Sequence, residues 1–460
     1  MNTLKILLLL FIVNLASALA GIEQAPPSFN FKGKKAVWVD FSSAHYELAF
    51  DIRNTKSESV ATINFNVFEK GYPIFDVVNA PSRISMDGVS YSQLEIQTPG
   101  GDSKVRIIDR ELSPGSYTVK IVSSISNGVV MKEGRLSVGF FTKDMRDRNF
   151  LERYIPSNYE YDQYKMDISV KILGTSKEYK LFTNGSLVKE GADYFHYTYP
   201  EYFTSSSLYF HLVPVGKFKI LNFTYESKLK DGANFPVTIY SKKMRLSRRV
   251  KRKVTKVLKE LEKDYGPWPH PHLIFYADGK WKGGMEYAGA ATAGWFAIGH
   301  ELQHNYFARA VMPANGDSGW IDEAVASWRD FYKIHKYFHF GKERIKFDSM
   351  NLGNHGVYNR KTDLRSYKSG RALMFYLDSV LKEIPGKDLK KFLRIYFQDR
   401  KFSTIKTEDF RNDLENYSGL SFKSFFDQYI YGLRESSKSS NQKELHFHTP
   451  LSESELQELL

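Results

Sequence analysis

Two histidines and two glutamates in the second half of the chain have the types and spacing of a catalytic metal site. His300-Glu301-Leu302-Gln303-His304 is an HExxH sequence, and Glu323 follows after the intervening residues 305–322. On a helix, positions i and i+4 share a face, so the imidazoles of His300 and His304 can converge on one ion. Two imidazoles and one carboxylate, with a fourth position left to water, form the ligand set of a catalytic zinc. Glu301 is then free to take a proton from that water as general base.

An HExxH sequence also occurs by chance on surface helices that bind no ion, so its surroundings matter. Buried His and Glu side chains need partners, and a metal ion supplies them. Residues 320–335 have the pattern of a second helix that carries Glu323 and can pack beside the first. Asp322 is either an orienting partner of the site or an acid that favours the helix start. Four apolar residues predict that the HExxH segment lies against a core: Phe296, Ile298, Leu302 and Phe307.

The predicted elements that position these residues form two regions, which differ in the spacing of their apolar residues. From about residue 30 to 235, short alternating runs between Gly, Pro, Asn and Asp predict antiparallel strands and an all-β, sandwich-like domain. After residue 235 the apolar spacing becomes helical, and the first long amphipathic helix is predicted to end near Tyr265-Gly266-Pro267. The fold class is therefore α+β. The predicted divisions are 1–20, 21–235, 236–434 and a polar tail at 435–460.

Composition is that of a folded protein without disulfides. The 460 residues are 42% hydrophobic and 15% aromatic, and cysteine is absent. A chain of this length can bury two or three cores. The lack of cysteine excludes thiolate ligands, so His and carboxylate side chains must hold any zinc.

The first 20 residues have the pattern of a cleaved export signal. A short basic start precedes the apolar run Ile6 to Val13, and Ala18-Leu19-Ala20 fits the small-residue cleavage site. The alternative is an uncleaved N-terminal anchor. We expect an exported protein, periplasmic or extracellular, with no stable membrane insertion after the signal is removed.

The formal net charge of +13 does not by itself indicate nucleic-acid binding. The densest basic cluster, residues 242–253, continues into a helical pattern and predicts the solvated face of a helix. We therefore expect no nucleic-acid partner, while attraction to an acidic envelope or polymer stays open. His270-Pro271-His272 is predicted to be a surface segment, with an accessory metal site as the alternative.

Several segments resemble the gluzincin zinc aminopeptidases, the family of aminopeptidase N and leukotriene hydrolase. Residues 320–327, WIDEAVAS, are similar to the family's W-L-N-E-G-F-A-S. Residues 283–287, GGMEY, resemble G-x-M-E-N, and residues 367–370, YKSG, resemble Y-x-K-G. The resemblance covers about residues 30 to 430 and has no counterpart of the family's helical-repeat C-terminal domain.

This resemblance implies roles for particular residues. It implies a thermolysin-like, mainly helical catalytic domain that binds one Zn²⁺ per chain and acts on peptides. Tyr367 would donate its phenol to the tetrahedral oxyanion, and Glu286 would pair with the free α-ammonium of the substrate. Gly283, Gly284 and Met285 would line the peptide beside Glu286. The expected activity is removal of N-terminal residues by a zinc-activated water.

Departures from the family patterns leave alternatives open. Tyr287 replaces the Asn of G-x-M-E-N, and Ser369 replaces the Lys of Y-x-K-G. No Gln stands where the β domain lends a second amine-binding residue, and Asp147 is the nearest candidate. A zinc endopeptidase without an amine anchor is therefore the second hypothesis. A non-catalytic β-rich surface-binding protein with a vestigial zinc site is the third.

Overall fold

The described residues fold into two compact units, of which the first ends at Phe218 and the second begins at Lys219. The computed structural model describes residues 25–101, 103–141, 150–280, 283–314, 318–332, 351–353, 358 and 362–433. The predicted signal segment, Asp147 and the predicted tail at 435–460 lie outside the described residues. Among the described residues, no helix combines the length and hydropathy that crossing a membrane requires.

Strands make up most of the first unit, as the alternating sequence pattern predicts. On the long strand Asp40–Asp51, the alternate residues Ala44, Tyr46, Leu48 and Phe50 are buried, which is the period of a strand with one core face. The strands of this unit, in chain order, are β1 (Phe29–Phe31), β2 (Lys34–Val37), β3 (Asp40–Asp51), β4 (Lys56–Val67), β5 (Tyr72–Phe75), β6 (Arg83–Met86), β7 (Val89–Tyr91), β8 (Gln93–Gln97), β9 (Lys104–Ile108), β10 (Gly115–Ser124), β11 (Val129–Lys132), β12 (Arg135–Phe140), β13 (Lys165–Leu173), β14 (Tyr179–Thr183), β15 (Ser186–Glu190), β16 (Tyr194–Thr198) and β17 (Phe210–Pro214). They form sheets in the orders β1-β2-β5-β9-β8, β15-β16-β13-β3-β4-β10-β6-β7 and β11-β12-β17-β14.

The second unit combines a five-stranded sheet with helices. Its strands are β18 (Lys219–Tyr225), β19 (Phe235–Ser241), β20 (Leu273–Ala277), β21 (Gly284–Tyr287), β22 (Ala290–Ala293), β23 (Val311–Pro313) and β24 (Ser403–Ile405). Its helices are α1 (Met244–Tyr265), α2 (Ile298–Gln303), α3 (Trp320–Tyr332), α4 (Arg365–Leu381), α5 (Leu389–Arg400), α6 (Thr407–Ser418) and α7 (Lys423–Tyr429). The larger sheet has the order β18-β19-β20-β22-β21, which leaves β21 outermost.

The division between the units falls earlier than the sequence placed it. β18 pairs antiparallel with β19, from Lys219 opposite Ser241 to Tyr225 opposite Phe235. Residues 219–235 therefore belong to the sheet of the second unit, whereas the predicted boundary lay between residues 235 and 236. Apolar and polar residues alternate along the strands of both units. The sequence pattern therefore does not show where one sheet ends and the next begins.

Close packing of two helices sets the position of Tyr367. A Cβ atom added at Gly370 on α4 would lie only 2.8 Å from the Cβ of Ala324 on α3. The missing side chain therefore lets α4 approach α3 closely. Tyr367 lies one turn before Gly370 on α4, and Glu323 lies one residue before Ala324 on α3. This contact consequently brings the phenol and the carboxylate to the same place.

Candidate metal centre

The HExxH segment forms a short helix that brings two imidazoles together. α2 contains His300 and Glu301, and His304 is its C-cap with helical angles, φ −59° and ψ −19°. The amide of His304 donates to the carbonyl oxygen of His300 at 3.3 Å, so the helical turn includes both histidines. Their ring centroids lie 4.6 Å apart.

Glu323 on α3 completes a cluster of three potential ligands. Its Oε2 lies 3.1 Å from Nε2 of His300 and 3.6 Å from Nε2 of His304. One ligand atom from each residue lies within 4.8 Å of the others. The structure thus brings together the three residues that the sequence predicts as zinc ligands.

The outer ring nitrogens show that this donor set fits zinc. Nδ1 of His300 lies 2.8 Å from Oδ2 of Asp330, and Nδ1 of His304 lies 3.3 Å from the carbonyl oxygen of Phe307. Each acceptor favours a proton on Nδ1, so Nε2, which faces Glu323, is the nitrogen that would bind an ion once it loses its own proton. Such contacts typically orient zinc-binding histidines.

Asp330 is a candidate orienting residue that the sequence reasoning missed. It lies on α3 seven residues after Glu323, two helical turns along nearly the same face. That spacing was the available signal. Asp322, by contrast, accepts a hydrogen bond from the amide of Glu323 at 2.6 Å, which fits an acid in the first helical turn.

Burial and neighbouring charges shift the pKa values of the cluster in opposite directions. Burial would raise the pKa of Glu323, but the charges and hydrogen bonds of His304 and His300 hold it well below its usual range. Burial would lower the pKa of His304, but the carboxylates of Glu286 and Glu323 raise it to about 9. Burial raises the pKa of Glu301 to about 8, with His300 opposing and Glu286 adding to the shift. A cation on the ligands would lower the pKa of Glu301 again.

The strand β21 runs beside the carboxylate of Glu301. A methyl group at Gly284 would overlap Cγ, Cδ and Oε1 of Glu301, so glycine permits this approach. Gly283 precedes the strand and accepts a hydrogen bond from the amide of Gly294 at 2.9 Å. Side chains alternate along a strand, so Glu286 shares the face of Gly284, and the buried Met285 has the opposite face.

Glu286 has a partner that the sequence did not suggest. Its Oε1 accepts a hydrogen bond from a terminal guanidinium nitrogen of Arg309 at 2.7 Å. Both side chains are buried, at 2% and 4% exposure. Residues 286 and 309 lie on different elements, and no periodic pattern connects them.

Tyr367 lies against the ligand cluster. Its hydroxyl donates to Oε1 of Glu323 at 2.8 Å, and its ring is stacked on His300 with centroids 6.0 Å apart. Burial, together with the charge of Glu323 and the hydrogen bond to it, raises the pKa of Tyr367 far above its usual value. The phenol therefore keeps its proton at physiological pH.

Two expectations about the surroundings were wrong. Phe296 is 83% exposed rather than packed against the core, because it precedes the first turn of α2. His270 is buried rather than on the surface, and its Nε2 lies 3.0 Å from the carbonyl oxygen of Asn305. The Asn305 side chain in turn accepts from the amide of Gly289 at 2.8 Å. These contacts tie the end of the HExxH segment to the sheet.

Comparisons with known proteins agree with this site. A model of the peptidase family M1 domain matches residues 292–429, which contain all three ligands. No curated protein sequence matches the chain.

Solved structures share the fold at low sequence identity. An M1 zinc metallopeptidase from Deinococcus radiodurans, a mutant bound to Tyr-Ser-Ala, is similar with a TM-score of 0.62 and 13% identity, over 86% of this chain and 95% of that one. Native LTA4 hydrolase from yeast gives a TM-score of 0.60 and 13% identity, over 89% of this chain and 69% of that one. The order of a β-rich unit followed by a helical one matches the two-domain M1 architecture.

The family match, the shared fold and the buried ligand set lead to one assignment. Residues 292–429 match the peptidase family M1 domain, and the chain shares the fold of M1 zinc metallopeptidases and LTA4 hydrolase, which together support a zinc hydrolase that resembles the gluzincin aminopeptidases.

Proposed function

We propose that the protein is an exported zinc aminopeptidase that removes N-terminal residues from peptides. The observation that carries the proposal is the strand β21, outermost in its sheet among the described strands, which places Gly284 and Glu286 on the side of Glu301. A peptide can add to such an edge through main-chain hydrogen bonds. The catalytic unit is, in this proposal, thermolysin-like.

Each residue of the cleft has a role in this proposal. His300, His304 and Glu323 would hold the zinc, which supplies a Lewis acid and lowers the pKa of water. Glu301 takes a proton from the attacking water at its carboxylate and passes it to the nitrogen of the leaving amine. Tyr367 donates its phenolic proton in a hydrogen bond to the carbonyl oxygen as negative charge develops there.

In this proposal, Glu286 binds the N-terminal end of the substrate. Its carboxylate has more than one lone pair, so it can accept from a substrate α-ammonium while Arg309 occupies Oε1. A mutant of a structural neighbour, the M1 zinc metallopeptidase from Deinococcus radiodurans, is bound to the substrate Tyr-Ser-Ala. That neighbour supports the choice of short peptides as substrate class.

A paired-substrate assay tests the proposal. We expect the zinc-loaded protein to release tyrosine from Tyr-Ser-Ala, to act more slowly on the N-acetylated peptide, and to lose activity with a chelator. Equal rates on free and acetylated peptides would favour the zinc endopeptidase. Stoichiometric zinc with no turnover of any peptide would favour the surface-binding protein instead.

The export part of the proposal rests on the N-terminal pattern alone. We expect the protein recovered from outside the cytoplasm to begin at Gly21, after cleavage at Ala20. N-terminal sequencing of the exported protein checks this, and a chain that still begins at Met1 would contradict it.

A further inference from the structure

The residue that would anchor the substrate amine is already engaged in a buried ion pair. A carboxylate that binds an α-ammonium does so through its negative charge and its oxygen lone pairs. Here the guanidinium of Arg309 lies 2.7 Å from Oε1 of Glu286, and both side chains are almost completely buried. Arginine stays protonated in proteins, so the pair carries almost no net charge.

Arg309 is fixed in place by the same segment that carries the metal ligands. It follows His304 by five residues, and its amide donates to the carbonyl oxygen of His304 at 2.9 Å. The next residue, Ala310, accepts through its carbonyl oxygen from the amide of Phe402. These main-chain hydrogen bonds hold the backbone from which the Arg309 side chain reaches Glu286.

The pair belongs to the catalytic cleft rather than to a remote part of the core. Glu286 shares its strand face with Gly284, which lies against the carboxylate of Glu301. Any group bound to Glu286 is thus close to the reacting atoms.

We propose that Arg309 is a specificity-determining residue that neutralises Glu286, weakening the hold on a charged N-terminus and allowing uncharged N-termini to enter the same subsite. This inference rests on the proposed aminopeptidase function. The carboxylate of Glu286 can still accept hydrogen bonds from a substrate ammonium through its remaining lone pairs. Its negative charge, however, is balanced by Arg309, so the attraction is weaker. A blocked, neutral N-terminus meets no uncompensated buried charge, so its desolvation is less costly than beside a lone carboxylate.

Two substitutions of Arg309 test whether its positive charge controls the binding of the substrate N-terminus. Arg309→Gln removes the positive charge and leaves a shorter polar side chain, whereas Arg309→Lys keeps the charge. For Arg309→Gln we expect kcat/KM on Tyr-Ser-Ala, relative to N-acetyl-Tyr-Ser-Ala, to rise on the order of tenfold, mainly through KM. Arg309→Lys should stay within about threefold of the original ratio.

A matched control removes a buried arginine elsewhere. Arg106 is buried in the first unit, where it donates to the carbonyl oxygens of Val77 and Val78. Arg106→Gln should lower stability without changing the ratio between the two peptides. The proposal is overturned if Arg309→Gln leaves the ratio unchanged or lowers it, or if both Arg309 variants change it equally.

The opposite half of the pair provides a second test that does not need Arg309→Gln to fold. Glu286→Gln leaves the guanidinium without its counter-charge and keeps an acceptor for it. This variant should lose affinity for the free N-terminus and cleave N-succinyl-Tyr-Ser-Ala faster than the N-acetyl peptide. No preference for the succinyl group would contradict the proposal.

Binding keeps the inference testable even without turnover. If the wild-type protein cleaves none of these peptides, the proposed function fails, and calorimetry with tyrosinamide and its des-amino analogue still tests Arg309. The Arg309→Gln variant should bind tyrosinamide on the order of tenfold more tightly than the wild-type protein, with the des-amino analogue unchanged. Equal affinities for tyrosinamide would overturn the role of Arg309.

Discussion

Two clusters in this protein contain the same functional groups, two imidazoles and one carboxylate, yet only one has the geometry of a metal site. In the second unit, one ligand atom each from His300, His304 and Glu323 lies within 4.8 Å of the others. In the first unit, Asp167 lies 2.6 Å from Nδ1 of His45 and 2.8 Å from Nε2 of His196. The ring centroids of the first-unit histidines are 6.3 Å apart, against 4.6 Å for the pair in the second.

The difference follows from the elements that carry the residues. Asp167 lies on β13, between β3 with His45 and β16 with His196, so the imidazoles are two strands apart. Neighbouring strands are separated by about 4.8 Å, which keeps the two rings on opposite sides of the carboxylate. Residues i and i+4 of a helix approach to about 6 Å and point the same way.

Burial separates the two clusters as well. The side chains of His45, His196 and Asp167 are 42%, 24% and 24% exposed, so water can solvate them. Those of His304 and Glu323 are 1% exposed. Buried polar groups need strong partners, and this need makes the second cluster a metal site and the first a surface hydrogen-bond network.

The largest expected effect is loss of the metal from the buried cluster. His304→Ala should abolish stoichiometric zinc binding and peptide hydrolysis, because only two ligands remain. The matched variant His196→Ala should keep one zinc per chain and full hydrolysis. Metal analysis of both purified variants checks this, and zinc lost from His196→Ala would show that the surface cluster binds metal.

The next largest effect concerns Tyr367, whose phenol lies beside the carboxylate of Glu323 in the buried cluster. Tyr367→Phe should lower kcat by about 10²–10³ through loss of one oxyanion donor, with zinc content unchanged. Tyr376 lies on the same helix and stacks on Phe425, so Tyr376→Phe is the matched control and should keep kcat within about twofold. Steady-state kinetics of the two variants measure kcat and test this prediction. A small effect at Tyr367 would remove it from the catalytic residues.

A smaller effect is expected for the carboxylates that orient the imidazoles. Asp330→Asn should weaken zinc affinity by about 10–100-fold, because the contact with Nδ1 of His300 loses its charge. Asp167→Asn changes the corresponding carboxylate of the exposed cluster and should leave zinc affinity as it is. Competition with a chelator measures both affinities, and equal values for the two variants would contradict the proposed orienting role.

The smallest expected effect is a pH dependence of stability, to which each unit contributes through one buried histidine. Burial lowers the pKa of His270 in the second unit to about 3, and burial with nearby Lys217 does the same for His211 in the first. A lowered folded-state pKa means that the unfolded chain binds the extra proton, so stability is lost as pH falls from about 6.5 toward 3. Each histidine should cost about 2 kcal/mol at pH 5.

Substitution checks that pH effect. His270→Gln and His211→Gln should each reduce the pH dependence of the unfolding free energy of their own unit by about one proton between pH 6.5 and 4. Chemical denaturation at several pH values measures the slope. An unchanged slope in either variant would show that the histidine is protonated in the folded protein.

The sequence predicted the parts of the site that depend on local spacing. The stripe Val250, Val254, Val257, Leu258 and Leu261 is buried on α1, and that helix ends at Tyr265, as the following Gly266 indicated. The HExxH helix and the helix of Glu323 also form where the periodicity placed them. Local pattern and local structure agree because helical contacts occur within a few residues of one another.

Features that depend on distant contacts were not predictable in the same way. The pair of Glu286 and Arg309 joins a strand to a turn, and the boundary at Phe218 depends on which strand β18 pairs with. His270 was predicted to lie on the surface, yet it is buried, with its Nε2 3.0 Å from the carbonyl oxygen of Asn305. Only the folded chain shows which of these polar groups meet.

The central claim is that the buried cluster is a catalytic zinc site in which Glu301 moves the proton. The most direct measurement is hydrolysis of Tyr-Ser-Ala by zinc-loaded Glu301→Gln, with metal content determined on the same sample. We predict one zinc ion per chain and a rate about 10²–10⁴ times below that of the wild-type protein. Wild-type hydrolysis by a fully zinc-loaded Glu301→Gln variant would contradict the claim.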